Sequence, residues 1–91
     1  MEDEIFKALS DPVRRKILEM LGTRDMSAGD IAGKFDITKP SISRHLAVLK
    51  ASGLITDKRA GQRIIYSLNA SPIRDVMRWF YESFGNVWMK R

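Results

Sequence analysis

The chain has no cysteine, which excludes disulfide frameworks, thiolate nucleophiles and every zinc site that needs sulfur. It has one histidine, His45, so a histidine-based zinc site or a Ser/His pair would have to be built around a single imidazole. Long apolar runs are missing and the start, Met1-Glu2-Asp3-Glu4, is acidic, so neither a secretory signal nor a membrane span is expected. A cytoplasmic protein without membrane insertion is the simplest expectation. With Gly 6 and Pro 3, the chain is too poor in both for a low-complexity or collagen-like polymer. There is no spaced carboxylate pair for acid/base work, no P-loop and no dinucleotide fingerprint. An enzyme is therefore not expected, and no cofactor is implied.

At 91 residues the sequence is one domain's worth, with an apolar fraction of 44% and a charged fraction of 30% that suit a folded globular chain. The net charge of +5 is unevenly spread. Residues 1–33 carry five Lys/Arg against seven Asp/Glu, residues 34–63 seven against two, and residues 64–91 four against two. A basic central third is what a phosphate-facing surface requires; a solvated face, acidic protein partners or an anionic membrane surface are the other uses of such charge.

Hydrophobic spacing divides the chain into five helices and two strands. Ile5, Phe6 and Leu9 mark a short first helix. Ser10 or Asp11 caps a second, in which Pro12 suits the first turn and Val13, Ile17, Leu18 and Leu21 form the buried stripe up to Gly22, leaving Arg14, Arg15 and Lys16 to solvent. Ser27-Ala28-Gly29-Asp30 resembles a capping box with Asp in place of Glu, opening a third helix that ends near Phe35, with Ala28, Ile31, Ala32 and Phe35 inward. A tight turn, Asp36-Ile37-Thr38, leads to a fourth helix from Lys39 to about Ala51, with Ile42, Leu46 and Leu49 inward and Ser52-Gly53 as its stop. Asp36 stands where such turns often have Gly, and Asp tolerates the left-handed conformation better than most residues. The period then changes to two. Ile55 to Arg59 and the alternating Ile64, Tyr66 and Leu68 form a hairpin across Ala60-Gly61-Gln62. Ser71-Pro72 opens a last helix to about Met89, with Ile73, Val76, Met77, Phe80, Phe84, Val87 and Trp88 on one side.

Two helices joined by a short turn, the second opening on small polar residues, suit a helix-turn-helix whose narrow polar end enters a major groove; an ordinary solvated helical hairpin is the plainer alternative. Lys39, Ser41, Ser43 and Arg44 are left facing outward there, with His45 at the edge of the stripe. Hydroxyls and helix N-terminal amides suit phosphates and base edges, and arginine can hold guanine in bidentate fashion. His45 has two readings, a DNA contact or a core-edge imidazole hydrogen-bonded locally. The hairpin that follows carries Lys58, Arg59, Gln62 and Arg63 around Gly61, as a wing lying on the phosphate backbone would; charged guarding of an edge strand is the alternative use. Basic helix and basic wing together point to double-stranded DNA. A winged-helix adaptor for protein or RNA is the rival class, although the wing lacks the exposed aromatics on which single-stranded bases stack.

The run Leu9-Ser10-Asp11-Pro12-Val13-Arg14-Arg15-Lys16-Ile17-Leu18, the run Thr38-Lys39-Pro40-Ser41-Ile42-Ser43-Arg44-His45-Leu46-Ala47-Val48-Leu49, and Ala51-Ser52-Gly53-Leu54-Ile55 closely resemble the ArsR/SmtB family of winged-helix repressors. The resemblance spans nearly the whole chain. It implies a mainly helical fold with a small β-hairpin and a homodimer that binds an operator overlapping a promoter. It also places Ser41, Ser43, Arg44 and His45 toward DNA and residues 58–63 on the wing. Sensors of that family use paired cysteines, or Asp/His and His/Glu pairs on the last helix. Here the last helix offers only Asp75 and Glu82, a poor transition-metal site, so the metal-independent, autorepressor-like branch is implied. Relief of repression would then fall to an inducing protein, a small effector, or loss of the repressor.

The last helix has one further consequence. Met77, Phe80, Phe84, Val87 and Trp88, flanked by Trp79 and Tyr81, are more apolar surface than a monomer of this size readily covers, and Ile5, Phe6 and Leu9 share the need. Packing both terminal helices on a two-fold mate would bury them, and the operator would be an imperfect inverted repeat. The expected architecture is one winged helix-turn-helix domain, 1–91, with a terminal-helix dimer face.

Overall fold

Two capped helices begin the fold in the computed structural model, which describes residues 3–88, the side chain of Trp88 excepted. Helix α1 spans Asp3–Leu9 and α2 spans Pro12–Thr23. Asp11, rather than Ser10, caps α2, accepting hydrogen bonds from the backbone N–H groups of Val13 and Arg14 at 2.8 and 3.2 Å. Ser10 instead donates to the Lys7 carbonyl at the end of α1. Met26–Ser27 form a short strand β1, Ala28–Ala32 a single-turn helix α3, and Lys39–Ala51 the longer α4. Strands β2 (Ile55–Ala60) and β3 (Arg63–Leu68) follow, then α5 (Ser71–Trp88). The C-terminal boundary expected near Met89 lies outside the described residues.

The mainly helical architecture with a small β-hairpin matches the expectation, with three differences. The hairpin is part of a three-stranded antiparallel sheet of order β1-β3-β2, because Met26 pairs with Tyr66 and Ser27 with Ile65. A two-residue strand is too short for a period of two to reveal it. Second, α3 ends at Ala32 rather than near Phe35. The connection to α4 is the six residues 33–38, wound at its start by bonds from Lys34 N to Ile31 O and Phe35 N to Ala32 O. Third, Asp36 does not use a left-handed conformation: among the described residues only Gly53 (φ 80°) and Gly61 (φ 66°) have positive φ. Gly53 ends α4, and Gly61 occupies the first position of the two-residue hairpin turn, where a Cβ would be strained.

The core lies where α1, α2, α3 and α4 meet the sheet. Ile17, Ile31, Ile42, Leu49, Leu54 and Ile55 are its largest fully buried side chains. From α4, Ile42, Leu46 and Leu49 all enter it, as their spacing requires, and this locks one face of that helix. Leu49→Ala should cost about 2–5 kcal/mol of unfolding free energy, from lost burial plus the cavity left behind. Urea denaturation followed by circular dichroism reads this directly, and a loss below about 1 kcal/mol would contradict the packing.

Helix α5 stands partly clear of this body. Ile73 and Val76 in its first half join the core, but Met77, Phe80, Phe84 and Val87 are exposed. The molecule measures 50 × 25 × 23 Å, and its radius of gyration is 14.8 Å. A compact chain of this length would have a radius of about 12 Å.

Candidate nucleic-acid interface

Thr38 opens α4. Its Oγ1 accepts from the Ser41 N–H at 3.3 Å and donates to Ser41 Oγ at 3.1 Å, so the first turn is capped and Ser41 is half-buried. With Ile42, Leu46 and Leu49 held in the core, Lys39, Ser43 and Arg44 are exposed on the N-terminal half of the helix. Among the described residues, Lys39 and Arg44 form no ion pair with a carboxylate. Unsatisfied N–H groups and the positive end of the helix dipole add to these cations at the same end.

His45 sits differently. It is half-buried, with Nδ1 at 3.2 Å from an Arg14 guanidinium nitrogen and 3.9 Å from Asp11 Oδ1. A local hydrogen bond is thus present, and any DNA contact would have to use the other ring nitrogen. Arg14 itself corrects the expectation of a solvated arginine. Its Nε donates to Ala8 O at 2.8 Å and a terminal nitrogen to Lys7 O at 2.9 Å, while Arg15 donates to Leu9 O at 2.8 Å. The last carbonyls of a helix lack intrahelical partners and form its negative end, which is where cationic donors belong. Lys16 is exposed, as its place outside the stripe implied.

The wing is fastened to the body at both strands. On β2, Asp57 accepts from Lys50 Nζ of α4 at 2.9 Å, a contact that holds the lysine's pKa above its ordinary value. On β3, Arg63 donates to Ser27 Oγ at 2.8 Å and to Asp30 Oδ2 at 3.1 Å, reaching the capped start of α3. Arg63 was expected as a phosphate contact; its first partners are a serine and a carboxylate of its own chain. Lys58, Arg59 and Gln62 are exposed around the Gly61 turn.

Two carboxyls in this region sit below their ordinary pKa. For Asp11, desolvation works against ionisation and is outweighed by the N–H groups of Arg14 and Val13 and by the charges of His45 and Arg14. For Asp30, hydrogen bonding from Ser27 leads, opposed by desolvation and assisted by Arg63. A folded-state pKa below the unfolded one gives stability that is complete above the ordinary carboxylate value of about 4 and lost as pH falls through the lowered values. The urea midpoint should therefore hold from pH 7 to about 5 and drop below about 4, and the gap between wild type and Asp11→Asn should close in acid. A gap that stays constant across that range would contradict the assignment for Asp11.

The residues expected at a dimer face divide into two groups. Ile5 is 8% exposed and belongs to the chain's own core, with Leu9 half-buried against it, because α1 packs onto α2 and α4. Ile5 therefore spends its apolar surface inside the chain, while Leu9 keeps part of its own exposed. Phe6, Met77, Phe80, Phe84 and Val87 remain exposed, and the side chain of Trp88 lies outside the described residues. Trp79, expected only to flank this surface, is its centre. Its ring packs edge-on against Phe6, Phe80 and Phe84 at centroid distances of 5.9, 5.0 and 5.6 Å.

Asp75 is paired with Arg78 at 3.7 Å, and among the described residues no three His, Asp or Glu side chains come together. Among those residues, no helix is long and apolar enough to cross a membrane.

A helix-turn-helix with an open cationic N-terminal half, followed by a β-hairpin with a basic tip, defines a winged helix-turn-helix protein. The helix-turn-helix domain family matches residues 9–57. The chain is 54% identical over 77 residues to the transcriptional repressor SdpR of Bacillus subtilis (strain 168), covering 85% of this chain and 86% of that protein. A crystal structure of an ArsR family transcriptional regulator superposes with a TM-score of 0.85 at 30% identity, covering 98% of this chain and 91% of that one. An ArsR-like transcriptional regulator from Rhodococcus sp. RHA1 superposes with a TM-score of 0.83 at 33% identity, covering 97% and 80%. The chain belongs to the ArsR family of winged helix-turn-helix transcriptional regulators. This is a family of regulators rather than enzymes, in keeping with the missing acid/base pair.

Proposed function

We propose that the protein is a cytoplasmic homodimeric repressor that binds an imperfect inverted repeat in duplex DNA, with residues 1–91 as one winged domain. The observation that carries the reading is the division of α4. Ile42, Leu46 and Leu49 fix its rear in the core while Lys39, Ser43 and Arg44 stand exposed at its N-terminal half. Arg44 and Ser43, with Ser41 and His45 beside them, read base edges; Lys39, Lys58 and Arg59 hold phosphates, and Gln62 and Arg63 support the wing. The exposed aromatic face around Trp79 closes the two-fold interface, which sets the two α4 helices about one DNA turn apart, roughly 34–36 Å. DNA affinity needs no metal in this reading, because the chain lacks the donor set. An inducing protein partner, a small effector or loss of the repressor relieves it.

Titration into its own labelled upstream region and into a scrambled duplex, with chelator present and anisotropy as the readout, tests this. Preferential binding at two subunits per duplex supports the dimeric repressor; equal, weak binding to both would favour the adaptor alternative. Arg44→Ala should cost about 1–3 kcal/mol on the preferred duplex and relax the preference at one base position. Arg59→Gln should weaken both duplexes alike. Equal losses on both duplexes for Arg44→Ala would remove its part in base reading.

A further inference from the structure

Three elements converge on the Arg14 side chain. All three guanidinium nitrogens are engaged: Nε with Ala8 O, one terminal nitrogen with Lys7 O, and the other with His45 Nδ1 at 3.2 Å. Arginine carries five N–H donors and no acceptor, so the bond to His45 has one possible polarity. Nδ1 must accept with its lone pair, and the proton of the neutral ring must then sit on Nε2. The opposite tautomer would aim an N–H at a guanidinium. It would also find no acceptor in range, since Asp11 Oδ1 is 3.9 Å away and already takes the N–H groups of Val13 and Arg14.

Nε2 has no hydrogen-bond partner among the described residues. No fully buried side-chain nitrogen or oxygen among them lacks a partner, so Nε2 keeps some access to solvent. Its place is on α4, one residue beyond Arg44. We infer that Arg14 is a positioning residue for DNA binding: it holds His45 in the Nε2–H tautomer, so that α4 offers a neutral donor of fixed direction to an acceptor atom of the duplex. The acceptor is a phosphate oxygen or the O6/N7 edge of a guanine. This inference rests on the DNA-binding reading above and adds to it a residue of α2 that touches no DNA. It also ties the end of α1 to α4 through one guanidinium, which none of the sequence motifs implied.

The single histidine makes the tautomer directly measurable, because one imidazole gives one set of ring-nitrogen resonances. In 15N-labelled protein at alkaline pH, long-range 1H–15N correlations should show Nδ1 as a bare nitrogen and Nε2 as a protonated one. Arg14→Met should shift both resonances toward the average of the two exchanging tautomers. A protonated Nδ1 in the wild type, or an unchanged pattern in Arg14→Met, would overturn the inference.

Two substitutions at His45 test the donor without disturbing the Arg14 anchor at α1. Glutamine places an amide N–H near the Nε2 position and asparagine places one near Nδ1. On a duplex that the wild type prefers, His45→Asn should bind about three- to tenfold more weakly than His45→Gln, the loss of one hydrogen bond. The same deficit on a scrambled duplex identifies a phosphate acceptor; a deficit confined to the preferred duplex identifies a base edge. Equal binding by the two variants, with the wild type still binding, would overturn the role of His45 alone. A wild type that binds neither duplex would overturn the DNA-binding reading and this inference with it.

Discussion

Raising the salt from 50 to 200 mM should weaken the protein's hold on its duplex by about 10³- to 10⁵-fold. The cations that carry this effect are those not already neutralised within the chain. Lys39 and Arg44 on α4 and Lys58 and Arg59 on the wing are exposed, whereas Lys50 is paired with Asp57 and Arg63 with Asp30. With Arg44 on a base edge, the three phosphate contacts of Lys39, Lys58 and Arg59 in each subunit make about six per proposed dimer, and releasing that many counterions gives a slope of log affinity against log salt of about −5. Arg59→Gln should reduce the slope by about two, one contact in each subunit. Arg63→Gln should reduce it less, because its charge already faces a carboxylate. A slope no steeper than about −2 would mean that this surface does not lie on the phosphate backbone.

Phe84→Glu should separate the proposed dimer. Phe84 packs against Trp79 and Phe80 on the exposed side of α5 and is still 44% exposed. A carboxylate there would be desolvated without a partner if the interface closed. Each substitution appears twice in a two-fold interface, so a cost of about 2–4 kcal/mol per site becomes about 4–8 kcal/mol per dimer. Sedimentation velocity should show a monomer at micromolar concentration, and DNA affinity should fall with the loss of the second α4. Ser83→Glu, one residue away and exposed, should leave the dimer in place. A dimer that survives Phe84→Glu would move the interface off this face.

What could be read from the sequence was whatever depends on neighbours along the chain. The cap at Ser27, a cap at Ser10 or Asp11, the inward stripe of Ile42, Leu46 and Leu49, and the Gly61 turn follow from spacing and from which residues satisfy helix ends or tolerate positive φ, while the structure chose Asp11. The winged helix-turn-helix order followed from those signals, and so did the exposed Lys39, Ser43, Arg44, Lys58 and Arg59.

Contacts between residues far apart in the chain were settled by packing alone. Arg14 meets His45 across 31 positions and Arg63 meets Ser27 across 36, while Met26 pairs with Tyr66. No periodicity encodes these, because a long cationic side chain on a polar face has the same local pattern whether it is solvated or caps a carbonyl. Packing of α1 onto α2 and α4 likewise took Ile5 into the core, left Leu9 half-buried against it and left Phe6 and Trp79 exposed. The sequence by itself determined which residues are apolar, cationic or capping on each element. Only the tertiary structure decided which of those side chains spend their hydrogen bonds and burial inside the chain, and therefore which remain for DNA and for the proposed second subunit.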